Sequence, residues 1–185
     1  MRRALDILYE AALRASALCL AGIAALVGAQ LAGRILDGTL ALIHLPRTDF
    51  VILSLAEICG YLLGCASFLA LAGTLKSGAH IRVTMLLGAL GDRARRLAEI
   101  WAFGLAMIGA GFMTWHIGYF AFVSLRFHEV SNGIIRVPLA YPQACMALGA
   151  LILTIALADE LVTVIRSGRP TFRSSEEAIT LGKEG

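Results

Sequence analysis

Few residues in this 185-residue chain have the types and spacing that chemistry requires. Glu57 is the one ionisable side chain well inside a long apolar run. A carboxylate near a bilayer centre costs about 2.5–3.5 kcal/mol, so it needs a partner or a task. The task would be proton or ion binding. The plainer alternative is an interhelical hydrogen bond, or a pair with Arg34 or Arg47. The shallow depth of Glu57, with no second carboxylate beside it, favours the plainer alternative. A membrane haem needs two histidines facing each other at depth. His44, His80 and His128 fall between apolar runs, and His116 falls near the end of one. Cys19, Cys59, Cys65 and Cys145 form no CxxC pair and all lie in apolar runs, where a thiol packs as a small hydrophobe. No HExxH, P-loop or serine-nucleophile pattern is present. The sequence therefore predicts no catalytic residue, no cofactor and no metal site.

Composition explains that shortage. Hydrophobic residues make up 58% of the chain, against 16 basic and 13 acidic residues, and the mean hydropathy is +0.78. Soluble domains run about 45–50% apolar, and a chain this small has too little interior to hide the excess. The composition argues against a soluble enzyme and excludes a disordered chain. The net charge of +3 does not point to nucleic acid. The prediction is an all-α membrane protein with four transmembrane helices, at about 15–35, 50–75, 97–125 and 137–165. Each is long enough to cross about 30 Å of hydrocarbon, and the runs do not alternate as barrel strands would. The four helices form one domain over 1–168, with a mobile tail over 169–185. Arg2, Arg3 and Val27-Gly28-Ala29 make a weak signal-peptide pattern. The apolar run continues past it to Gly33, which favours a retained helix.

Basic residues set the expected orientation. Twelve of them lie in the N-terminal stretch, the loop between the second and third helices, and the tail, while four lie in the other two loops. Both termini and the middle loop are thus expected in the cytoplasm. In that middle loop Ile81, Val83, Met85 and Leu86 precede an arginine cluster. They predict a short amphipathic segment on the cytoplasmic surface, attracted to anionic membrane lipid. The stretch from Leu36 to Asp49 is expected to lie on the outer membrane face. Trp101 and Phe103 are expected at one interface, and Trp115, Tyr119 and Phe120 towards the other.

Small residues mark faces where helices in lipid come close. The third helix has Gly104, Gly111 and Gly118 at a spacing of seven, and the second has Gly60 and Gly64, flanked by Glu57 and Ser67. Ala21, Ala25 and Ala29 add a stripe to the first. These faces serve the chain's own packing or dock a second membrane subunit. Packing alone does not choose between the two.

Two short motifs carry a family resemblance. The second helix has an acidic residue near its start and runs into His80-Ile81-Arg82-Val83. Later, Ser131-Asn132-Gly133 precedes Ile135-Arg136-Val137-Pro138-Leu139, with Pro142-Gln143 following. With the chain length and four helices, this resembles the small membrane subunit, DctQ type, of TRAP (tripartite ATP-independent periplasmic) transporters. The resemblance implies a bacterial inner-membrane scaffold and no enzyme activity. It implies a large membrane subunit that moves as an elevator, a periplasmic substrate-binding protein, sodium coupling, and organic acids such as C4-dicarboxylates as substrates. His80, Arg82, Ser131 and Pro138 become structural or interface candidates. Two other readings remain open: a free-standing proton-coupled transporter, and an anchor subunit of a haem or quinone oxidoreductase.

Overall fold

A computed structural model describes residues 2–44, 46, 48, 50–76 and 92–167. Within them the chain forms four helices: α1 (Arg2–Leu42), α2 (Leu55–Lys76), α3 (Asp92–Arg126) and α4 (Ala140–Ser167). All four are long and apolar enough to span a membrane. The expected surface segment after Lys76, with His80 and Arg82, and the expected tail over 169–185 lie outside the described residues.

The first helix is longer than its apolar run. The polar lead-in is rich in leucine and alanine, strong helix formers, and Glu10 accepts a hydrogen bond from Arg14 one turn on, at 2.6 Å. At the other end, Leu36–Leu42 continues α1 rather than lying apart on a membrane face. The helix stops where His44 takes a left-handed conformation, φ 57°, ahead of Pro46. At 41 residues, α1 is about 60 Å long, twice the thickness of a bilayer core. The connection to α2 then folds back along it. Asp37 Oδ1 accepts from the Thr48 amide at 2.7 Å and from its hydroxyl at 2.5 Å. Gln30 Oε1 accepts from the Ile52 amide at 2.7 Å. Between these two anchors Phe50 lies on Gly33, where an added Cβ would come within 2.6 Å of its ring.

The other boundaries follow from local chemistry. In α3, His128 is left-handed (φ 51°) and the Glu129 amide reaches back to the Ser124 carbonyl at 3.0 Å, closing the helix as a Schellman turn does. In α4, Pro142 falls in the first turn, where a missing N–H costs nothing, and the first helical bond runs from the Gln143 amide to the Leu139 carbonyl.

The helices form an open row in the order α1, α2, α4, α3. Helix α4 packs on both α2 and α3, α1 packs mainly on α2, and α3 has α4 as its substantial neighbour. Accordingly 44% of an apolar 18-residue stretch of α4 is buried, against 11% of such a stretch in α1 and 17% in α3. Small residues make the contacts. Ala72 and Ala150 are fully buried. Gly149 lies so close to α2 that a Cβ there would sit 2.6 Å from the Phe68 carbonyl carbon. Polar side chains cross-link the row at depth: Ser16 Oγ donates to the Ala66 carbonyl at 2.8 Å, and the Thr114 and Thr154 hydroxyls meet at 3.1 Å. At the end bearing the chain termini, Lys76 pairs with Asp6 and lies 5.2 Å from the Tyr9 ring centroid. Arg96 of α3 donates to the Ile165 carbonyl of α4 at 2.6 Å. Phe103, expected at a lipid interface, is instead buried in the core, while Trp101 on the same helix is exposed.

This packing separates the glycines by consequence. Gly149→Ala should cost about 1–3 kcal/mol through overpacking against backbone. Gly104 has nothing within 4 Å of an added Cβ, so Gly104→Ala should be neutral or stabilise by up to about 1 kcal/mol. Unfolding of both variants in mild detergent measures the difference.

Candidate functional site

The sequence candidates gather at the end of the row that carries the α1–α2 and α3–α4 connections. Ser54-Leu55-Ala56-Glu57 has the residue pattern of a capping box at the start of α2. The structure uses those residues differently. Ser54 is left-handed, φ 56°, and its carbonyl accepts the Glu57 and Ile58 amides at 3.1 and 3.0 Å. Its hydroxyl turns to the α3–α4 loop and accepts from the Ile135 amide at 3.1 Å. Glu57 also turns to that loop. Its Oε1 accepts from the Tyr61 hydroxyl one turn on, at 2.8 Å. Its Oε2 is buried without a hydrogen-bond partner and lies beneath Gly133. The hydrogen-bond partner of Glu57 is thus Tyr61 on its own helix, where an interhelical hydrogen bond or a pair with an arginine was expected. Arg34 makes no bond to it, and the side chain of Arg47 lies outside the described residues.

The loop itself is organised by Ser131, which is buried. Its amide donates to the Val137 carbonyl at 2.9 Å. Its hydroxyl donates to the Ile135 carbonyl at 3.1 Å and accepts from the Val137 amide at 3.2 Å. Val130 and Pro138 form an antiparallel bridge across the loop base. The Leu139 amide donates to the Glu129 carbonyl at 3.0 Å, and Glu129 Oε2 accepts from the Ser124 hydroxyl at 2.8 Å. Glu57, Ser131 and Pro138 therefore belong to one arrangement, in which α2 supports the connection between α3 and α4. A Cβ at Gly133 would collide with the Glu57 carboxylate and stand 2.9 Å from Ser54 Oγ, so a larger residue there must displace those side chains. Sequence reasoning missed Ser54 and Tyr61. Their signals were present, as a serine three residues before Glu57 and a tyrosine four after it.

The glycine stripes separate. Gly64 packs under Met146 of α4, its potential Cβ 3.1 Å from the sulfur, and Gly111 lies beside Thr154. Gly60, Gly104 and Gly118 face open space. Glu57, Gly60, Gly64 and Ser67 do not act as one packed face, since Ser67 is exposed and bonds back to the Leu63 carbonyl at 2.8 Å. Gly149, which makes the closest approach to the backbone of a neighbouring helix, lies on no stripe that sequence reasoning marked. Large side chains also stay uncovered. Trp101, Leu105, Ile108, Phe112, Trp115, Tyr119 and Phe122 of α3, alternately three and four residues apart, are all more than half exposed. Among the described residues no cluster of three or more His, Cys, Asp or Glu could hold a metal, and the four cysteines are free.

An open row of spanning helices, tied at one end by a hydrogen-bonded loop and lined with uncovered apolar faces, defines a multi-pass membrane component. The model of the family described as tripartite ATP-independent periplasmic transporters, DctQ component, matches residues 47–167. The chain belongs to that family, the small permease component of TRAP transporters, which is a family of transporter subunits and not of enzymes. No curated protein matches the chain.

The loop geometry gives a direct test. Gly133→Ala should cost about 1–3 kcal/mol and speed hydrogen exchange at the Ser131 and Val137 amides. The cost should shrink in a Glu57→Ala background, because the carboxylate that the new methyl meets is gone. Equal cost in both backgrounds would show that Glu57 does not support the loop.

Proposed function

We propose that this chain is the scaffold subunit of a sodium-coupled, binding-protein-dependent transporter for organic acids such as C4-dicarboxylates. It lies in a bacterial inner membrane with both termini cytoplasmic. Its partners are a large membrane subunit that carries substrate and sodium and moves as an elevator, and a periplasmic substrate-binding protein. One observation carries this reading: the spanning helices form a row, not a closed bundle, and leave wide apolar faces beyond what their own packing uses. A free-standing transporter needs a path through the membrane lined by polar groups, and the Glu57 carboxylate instead supports a loop. The bias of basic residues assigns the connecting end, with Ser131 and Glu57, to the periplasm. There the ordered α3–α4 loop is a candidate contact for the binding protein. His80, Arg82, Ser131 and Pro138 are then structural or interface residues, and residues 1–168 act as one domain.

Purification from native membranes in mild detergent should bring down a large polytopic polypeptide with this chain. Sodium-dependent uptake in proteoliposomes should require both, together with the binding protein, and should vanish when this chain is left out. Uptake by this chain alone would refute the proposal. A cysteine at Asn132 should react with a membrane-impermeant maleimide added to intact spheroplasts, and protection of that cysteine would reverse the orientation.

A further inference from the structure

Between α3 and α4 an open groove of about 480 Å³ runs along the membrane-spanning part of both helices. Gly111 and Gly118 leave its floor low, Trp115 and Phe122 raise one wall, and Leu151 stands on the α4 side. Three hydroxyls belong to residues that line it, those of Thr114, Thr154 and Tyr119. The two threonines bond to each other at 3.1 Å and back to the Ala110 and Ala150 carbonyls at 2.8 and 2.9 Å. Apart from the Tyr119 hydroxyl, the groove offers an occupant dispersion contact. Its reach from Gly111 to Phe122 is eleven residues of helix, or about 16 Å, which is about half of the 30 Å hydrocarbon core and hence one leaflet. One turn beyond Phe122, on the same side of α3, lies Arg126 at the helix end. It is exposed, and its guanidinium has no partner among the described residues.

We propose that this groove is a binding site for one acyl tail of a phospholipid, whose phosphate meets Arg126. An apolar slot one leaflet long, ending in a free cation at the helix end, matches a lipid molecule and not a polar solute. Bound there, the tail covers the side of α3 that the row of helices leaves bare next to α4. It makes the α3–α4 pair part of a smooth wall.

The test uses the full chain with its co-purifying partners in nanodiscs. The probes are a phosphatidylethanolamine with a photoactivatable diazirine in one tail, and a diacylglycerol with the same tail. Labelling of the 111–122 peptide is read against labelling around Leu18, an exposed residue of α1. The phospholipid should label the groove peptide about fivefold more strongly than the diacylglycerol, the factor that one net hydrogen bond to the phosphate contributes. Arg126→Gln should erase that difference. Gly118→Leu should bring groove labelling down to the Leu18 level. Its Cβ meets nothing within 4 Å, so the variant should fold, and Gly118→Ala, too small to fill the slot, should keep the label. Labelling of the unaltered groove no greater than at Leu18, equal labelling by both probes, or unchanged labelling of Gly118→Leu would overturn the proposal. So would capture of a partner polypeptide by a photoreactive residue at Trp115.

Discussion

Everything in this molecule is arranged around the close approach of α4 to α2, where the backbone at Phe68 meets Gly149 without a side chain between them. In lipid there is no water to expel from between helices, so association rests on dispersion and on how near two backbones can come. Gly149, Ala150, Ala72 and Ala66 make that nearness possible. Once α4 is seated against α2, it has one further face, and α3 takes it. Helix α1 is left with α2. The row follows from the order in which small faces are used up. It is an economical way to spread four helices into a surface, and a surface is what a supporting subunit needs.

The polar groups reinforce this order at three levels. Near the terminal end, the Lys76–Asp6 pair and the Arg96 bond to Ile165 tie α1 to α2 and α3 to α4. At mid-depth, Ser16 and the Thr114–Thr154 pair use hydroxyls that would otherwise be unsatisfied in hydrocarbon. At the connecting end, Ser54, Glu57, Tyr61 and Ser131 join the start of α2 to the α3–α4 loop. Within that last group Glu57 has its Oε1 on a tyrosine one turn away and its Oε2, buried without a hydrogen-bond partner, under a glycine of a neighbouring loop. The long overhang of α1 has a similar role, because Asp37, Gly33 and Gln30 give the returning connection a track to lie on.

What remains uncovered is as telling as what is packed. The α3 stripe from Trp101 to Phe122 stays more than half exposed, yet its spacing is that of a single apolar face suited to burial. The chain keeps bulk and flatness on that face, and it keeps glycines beside it that its own core does not use. Such a surface gains from contact with tails or with a larger membrane protein, and a chain of this size could not bury it alone.

The sequence by itself determined the four spans, the helical class and the family. Each depends on properties that add up along the chain: apolar length against bilayer thickness, charge placement, and short motifs around His80 and Ser131. Boundaries were less legible. Polar residues ahead of Ala15 hid a helix that begins at Arg2, since leucine and alanine sustain a helix whether or not lipid surrounds it. The site was legible only in pieces. Glu57 and Ser131 stood out by type, but 74 residues separate them, and nothing local says that a loop after α3 rests on the first turn of α2. Only the tertiary structure decided which glycines bear contact. Spacing of seven marked Gly104 and Gly118, which face open space, while Gly149 makes the tightest approach in the row. The physical reason is that a glycine stripe records where a helix can be approached. Whether anything approaches depends on the rotation and order of helices, and those are set by several faces competing at once.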